Sequence, residues 1–347
     1  MDISVPYYED LTRISNSNIG WFLNKGPAYL HKMLTDPPPE EKNPVLERGT
    51  MIHEFILQPE EFQKDYVVWD KSRPSSTQQE KFCQALASSL EIEPNRALES
   101  AYKEAYSTKG KSYASILAES SKIASTLKDY IDFLKSNDKR IMISHWDYKM
   151  LETIRLNIGA HKAANAIVWP GNKGWKDDYS NGARFDIANK IMYHEFHINW
   201  EYSIVEGFNL NIVECKSLLD GLTLDFKRKK AIIYDLKTTA KLWHFEESID
   251  IYDYLRQLQY YTYAVRWYLE NECDEKANDW TFEYYIIGID TTGSYEIRVF
   301  NIDPYMVHSR APIIQSTLTA IAWHQATGKW DHSREYYEGD GSESLNL

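Results

Sequence analysis

The chain changes its hydrophobic period once, and that change restricts the folds open to it. Up to about residue 167, apolar residues recur at helical spacing, as in YASILAESSKIASTLKDYIDFLK and HWDYKMLETIRLNIGAHKAANAIV. A turn-rich stretch, WPGNKGWKDDYSNG, ends that region. The runs that follow, ARFDIAN, IMYHEFHINW, LNIVECKSLLDGLTLDF and KAIIYDLK, are short and alternating or wholly apolar, as strands are. Next comes a long amphipathic helix over about 252–271, then the strands FEYYIIGID and YEIRVFNID joined at TTGS, then a final helix in YMVHSRAPIIQSTLTAIAWHQ. Strands interrupted by a long helix predict an α/β fold with a mixed central sheet flanked by helices.

The opening residues read as helical. In ISNSNIGWFLN, Ser15 to Asn18 offer N-caps before an apolar stripe, Pro27 suits the start of another short helix, and TDPPPEEKNP is a stiff loop. VLERGTMIHEFIL has helical spacing and carries His53, while STKGKS interrupts the long helical region. These patterns divide the chain into an N-terminal helical segment (1–75), a helical insertion (76–180), an α/β core (181–335) and an acidic, mobile tail (336–347). No internal repeat is visible.

Charge bears on partners. The 347 residues carry a net charge of −12, which opposes tight independent binding to nucleic acid. Only residues 101–180 are basic, with 13 Lys and Arg against 9 Asp and Glu; this is either a solvated helical face or a surface that tracks DNA. Eleven Trp and twenty-five Tyr either pack in the core or stack on bases. Cys83, Cys215 and Cys273 lie far apart, which excludes a four-cysteine iron-sulfur cluster and points to reduced thiols. No window has the length and apolarity of a membrane span, and MDISVPYYED lacks the features of a signal peptide, so the expected compartment is the cytoplasm. No GxxxxGK[ST] or GxGxxG occurs, so no nucleotide cofactor is expected. HEFH, at His194 to His197, alternates like a strand and lacks the helical spacing of a zinc protease motif.

The chemistry gathers around AIIYDLKTT. A run as apolar as Ala231 to Tyr234 is a buried strand, and Asp235-Leu236-Lys237 at its end is either an ion pair at a solvated terminus or a catalytic edge. Asp220 precedes Asp235 by fifteen positions, so two antiparallel strands joined across GLTLDFKRKK could bring both acids to one edge. Carboxylates held close repel each other unless a cation sits between them. Oxygen ligands suit Mg²⁺ or Mn²⁺. Lys237 shares a strand face with Asp235, where it can orient or deprotonate a water and offset charge on phosphorus.

CKSLLD, IIYDLKTT and RQLQYYTYA resemble the consecutive motifs of PD-(D/E)xK nucleases of the RecB-like group, most of all the exonuclease VIII (RecE-type) phage recombination exonucleases. Asp220 matches the first acid, Asp235 and Lys237 the D/E-x-K pair, and Gln257 and Tyr261 the helical Q-x-x-x-Y. RGTMIH is similar to the group's G-T-x-x-H segment, which implies that His53 is a metal ligand with Asp220, Asp235 and the main-chain carbonyl of Leu236. HEFHINW followed by CKSLLD resembles a further E-x-x-x-x-W run, which singles out Glu195 as an outer-shell or DNA-proximal acid, or else a structural one. ISNSNIGWFLNKGPAYL resembles the family's N-terminal entry. The similarity covers the first sixty or so residues and about 145–335; residues 76–144 match nothing. Leu219 stands where the superfamily's name has proline.

The resemblance implies a PD-(D/E)xK nuclease core and a Mg²⁺- or Mn²⁺-dependent exodeoxyribonuclease acting on duplex ends in phage-type recombination. It would work in the host cytoplasm if phage-encoded, with a single-strand annealing protein or further copies of itself as partners. Two other readings stand beside it: a structure-selective or defence-related endonuclease on the same core, and a catalytically inactive DNA-binding or assembly module.

Overall fold

The computed structural model describes residues 5–39, 43–91, 93–169, 183–187, 190–206 and 209–343; of residues 183–187, 206 and 209 it describes the backbone alone. The turn-rich stretch expected after residue 169 and the last four residues of the acidic tail lie outside these. The helices and strands, in chain order, are α1 (Asn16–Thr35), α2 (Pro44–Leu57), α3 (Pro59–Asp65), β1 (Tyr66–Trp69), α4 (Thr77–Ala87), α5 (Pro94–Ala105), α6 (Tyr113–Thr126), α7 (Lys128–Lys135), β2 (Ile141–Ser144), α8 (His145–Ala160) and α9 (Lys162–Val168). There follow β3 (Ala183–Ile187), β4 (Lys190–Glu206), β5 (Asn209–Asp225), β6 (Lys230–Thr239), α10 (Phe245–Ile251), α11 (Tyr254–Asn271), β7 (Thr281–Asp290), β8 (Ile297–Ile302), α12 (Pro304–His308), α13 (Ala311–Thr327) and α14 (Arg334–Glu338). No described helix is long and apolar enough to cross a membrane.

The fold is α/β, with a mixed sheet flanked by helices. Six strands pair in chain order, β3-β4-β5-β6-β7-β8; every neighbouring pair is antiparallel except β6 and β7. That one parallel pair needs a crossover, and α11 supplies it. Leu255, Leu258, Ala264, Val265 and Leu269 on α11 pack into the same core as Phe196, Ile198, Leu222 and Ile233 of the sheet. Ahead of α1, Ile14 lies beside β5 as a short parallel bridge, its N–H on Glu214 O at 2.9 Å and its carbonyl taking Lys216 N at 2.8 Å. Ser15 caps α1 with the Asn18 side chain answering, a closed capping box, and the helix breaks at Gly26 just before Pro27.

Two compact units divide the chain: residues 1–59 with 151–347, and Glu60 to Met150. The insertion expected over 76–180 therefore has different bounds. From Leu151 onward, α8 and α9 belong with the sheet: Asn157 donates to Tyr295 O at 2.7 Å and Val168 O lies 3.0 Å from His194 Nε2. An unbroken helical period does not say which core it joins. In the smaller unit, α4 to α7 pack around Phe82, Tyr102, Ile116 and Ile131, and β1 and β2 form a two-stranded parallel sheet that four-residue runs could not reveal. The final helix also differs from expectation. Pro312 has no N–H for the carbonyl of His308 and its ring crowds that group, so α12 stops at His308 and α13 starts anew. A short helix, α14, occupies part of the tail expected to be mobile.

Candidate active site

Strand register builds the site. His194 of β4 pairs with Gly221 of β5, and Gly221 pairs with Tyr234 of β6. One position on, Glu195, Asp220 and Asp235 fall in a single row across three strands. The β4–β5 ladder resumes at Phe196 and Leu219 and runs on past this row, whereas the β5–β6 ladder stops at Gly221 and Tyr234, just before it. Beyond that point the Asp220 carboxylate takes over from the backbone, accepting Leu236 N–H at 2.6 Å. Gly221 has a separate reason to be glycine: a Cβ there would stand 1.9 Å from the Tyr234 ring.

The row falls where the strands shift phase. On β4 the buried core residues are Tyr193 and then Phe196 and Ile198; on β5 they are Leu219 and then Leu222. Glu195 takes up the shift on β4 with a φ of 48°, a left-handed conformation that costs a side-chain-bearing residue about 1–2 kcal/mol. Such strain survives only where the surroundings over-determine it.

Helices bring in the other groups. On α2, Gly49 sits against Thr238, and His53 lies one turn further along the same side. His53 Nδ1 is 3.6 Å from Asp220 Oδ2 and 3.8 Å from Glu195 Oε1. Ligand atoms from His53, Glu195 and Asp220 all lie within 4.8 Å of one another. The two imidazole separations are long for hydrogen bonds, yet both fall inside the roughly 4.2 Å that two ligands about 2.1 Å from one small cation can span. On α11, Gln257 Nε2 donates to Asp235 Oδ1 at 3.0 Å and approaches Tyr261 Oη at 2.7 Å. Lys237 Nζ pairs with Asp235 Oδ2.

Electrostatics mark the cluster as short of positive charge. Asp235 is only 2% exposed; burial and the neighbouring Asp220 outweigh Lys237 and push its carboxyl up to about 6. Burial and Glu195 likewise raise Asp220, against the pull of His53 and Lys237. Burial alone would lower His53, but Asp220 and Glu195 raise it to about 9, so the imidazole is drawn toward its cationic form. Burial would lower Lys237 as well, but Asp235 and Asp220 raise it. An imidazole with hard carboxylates around it is a donor set suited to a divalent cation.

The structure thus gathers His53, Glu195, Asp220, Asp235, Lys237, Gln257 and Tyr261 at one place on the sheet. Leu236 reaches it through its N–H. Glu195 lies beside His53, while Asp235 is engaged by Gln257 and Lys237. Tyr254 was not anticipated: its ring centre lies 4.9 Å from Lys237 Nζ. It precedes Gln257 by three and Tyr261 by seven, so one helical face carries all three, and that spacing was open to view in the sequence.

No family model and no curated protein matches the chain. Among solved structures, it is similar to a candidate exonuclease from Eubacterium rectale over 100% of this chain and 97% of that one, with 12% identity and a TM-score of 0.46. So loose a likeness leaves the chemistry to be read from the site's own geometry.

Proposed function

We propose that the protein is a PD-(D/E)xK-type deoxyribonuclease that uses Mg²⁺ or Mn²⁺ to hydrolyse phosphodiester bonds at duplex DNA ends, in phage-type recombination or related DNA processing. The observation that carries this reading is the convergence of His53, Glu195 and Asp220 within ligand distance of one another, beside buried Asp235 and the half-buried Lys237 paired with it on the adjoining strand. His53, Asp220 and Asp235 would hold the cation, with Glu195 close enough to His53 to join them and the Leu236 carbonyl as a further donor. When bound, the cation polarises a phosphoryl oxygen and makes water a competent nucleophile near neutral pH.

The rest falls to the chain itself. Asp235 fixes the Lys237 ammonium, and Gln257 fixes Asp235 from the opposite side. A lysine held in this way orients the attacking water and offsets negative charge building on phosphorus. Tyr261 positions Gln257, and the Tyr254 ring limits where Lys237 can move. Phosphodiester hydrolysis demands barrier lowering toward the upper part of the roughly 8–23 kcal/mol range typical of enzymes; a cation with a placed water can supply much of it, and a lysine alone cannot.

End-directed cleavage comes from the sequence resemblance. The test incubates the protein and Mg²⁺ or Mn²⁺ with end-labelled linear and covalently closed circular DNA, beside Asp235→Ala. Loss of linear DNA alone supports the exonuclease. Cutting of closed circles moves the assignment to an endonuclease, and intact DNA in every lane moves it to a binding module.

A further inference from the structure

The cross-strand row through Lys237 continues past the site. Lys237 of β6 pairs with Gly288 of β7, and Gly288 pairs with Arg298 of β8. Side chains directly opposite one another leave a sheet on the same face, so Arg298 stands on the Lys237 face, two strand spacings or roughly 10 Å away. The position between them carries no side chain. A Cβ on Gly288 would lie 2.7 Å from Leu242 Cδ1, so Leu242, at the start of the short 3₁₀ turn Leu242–His244, covers that position. Trp243, the next residue, is thereby carried over Arg298: the guanidinium carbon lies 4.6 Å from the Trp243 ring centre and 5.7 Å from that of Phe300.

Two features of this corner go beyond ordinary packing. Trp243 is 70% exposed although it stacks on a cation. Arg298, in a strongly acidic chain, forms no ion pair with any carboxylate among the described residues. An indole with one face open and an uncompensated guanidinium behind it match the two parts of a nucleotide, a base to stack and a phosphate to neutralise.

We propose that Trp243 and Arg298 form a nucleotide subsite for an unpaired strand running across the sheet face from Lys237. Arg298 takes a phosphate two or three nucleotides along the strand from the one at Lys237, and the open face of Trp243 takes a base. The separation of roughly 10 Å equals the axial rise of about three stacked nucleotides, and fewer in an extended strand. Within a duplex the faces of a base are covered by its stacked neighbours, so the preferred ligand is a single-stranded or frayed end. The proposal rests on the nuclease reading and narrows its substrate.

The test measures binding by fluorescence anisotropy, in EDTA and at low salt, of a fluorescein-labelled oligothymidylate and of a blunt duplex closed by hairpins at both ends. Trp243→Ala should weaken oligothymidylate binding about tenfold and closed-duplex binding less than twofold, with Trp243→Phe retaining most of the affinity. Arg298→Ala should lower the slope of log affinity against log salt by about 0.7, the signature of one lost phosphate contact on a single strand, and Arg298→Lys should keep the wild-type slope. Wild-type protein that binds no oligothymidylate, equal losses on both ligands with Trp243→Ala, or an unchanged slope with Arg298→Ala overturns the proposal. Thermal melting of each variant identifies any that fails to fold, and the Trp243→Phe and Arg298→Lys pair then carries the comparison. Hydrolysis by wild-type protein without the binding pattern removes the subsite alone; the binding pattern without hydrolysis in Mg²⁺ or Mn²⁺ removes the nuclease reading alone.

Discussion

Buried carboxylates on this one sheet are treated in two opposite ways. Asp290, at the end of β7, accepts hydrogen bonds from the N–H and hydroxyl of Thr292, the N–H and hydroxyl of Ser294 and the N–H of Tyr295. Burial would raise its carboxyl, but those donors outweigh burial and hold it down at about 2. Asp10, beside β5, is served by Thr12 and Arg13 and is likewise held well below the usual range. Asp220 receives one N–H, faces Glu195, and is raised. A carboxylate that ties a turn together is surrounded by donors. The acids of the site are left wanting positive charge, and that want is what a divalent cation would satisfy.

The contrast can be broken experimentally, and the largest effects lie in chemistry. Lys237→Ala should lower the rate of DNA hydrolysis by about 10² to 10⁴-fold while DNA binding persists. Near wild-type turnover would remove Lys237 from its role and leave Asp235 with a purely structural partner.

Metal linkage comes next. Mg²⁺ or Mn²⁺ at about a hundred times its dissociation constant should stabilise the folded protein by about 2.7 kcal/mol, read as a rise in melting temperature over an EDTA control. The rise should vanish in His53→Ala and in Asp220→Asn. Equal rises in those variants would place the cation elsewhere.

At Asp290 the expectation concerns folding. Asp290→Ala removes a charged acceptor shared by five donors of this part-buried turn and should destabilise by about 2 kcal/mol in urea melts. In the wild-type protein its contribution should be fully present above the unfolded value of 3.8 and fade as pH falls through about 2, because the folded carboxyl is the stronger acid. Asp290→Asn should flatten that limb of the stability profile.

The smallest effect carries the opposite sign. In EDTA, Asp220→Asn removes one of three crowded charges yet keeps an acceptor for Leu236 N–H, so stability should hold or rise by about 1 kcal/mol. A loss as large as that at Asp290 would erase the distinction between the two kinds of acid.

Much of this arrangement was legible before any coordinates. The strand pattern of KAIIYDLK and the helical pattern after Tyr252 are local, and both elements form where that periodicity puts them. Asp235 and Lys237 share a face because alternate residues of any strand do. Gln257 and Tyr261, four apart on one helix, were bound to face the same way, and Tyr254 could have been added by the same rule. Glu195 was harder to place. Its segment does not keep a regular alternation, because the left-handed residue itself shifts the phase, and no local pattern announces such a shift.

The sequence by itself determined the long elements of the core, most of their faces and the residue types able to meet a cation, since each follows from a few neighbouring positions. Only the tertiary structure decided that Glu195, Asp220 and Asp235 share a row, that His53 arrives above them, and that Lys237 and Arg298 lie on one line across β7. Those facts depend on which residue of one strand faces which of another. Pairing across strands is settled by the packing of both sheet faces at once, and spacing along the chain does not encode it.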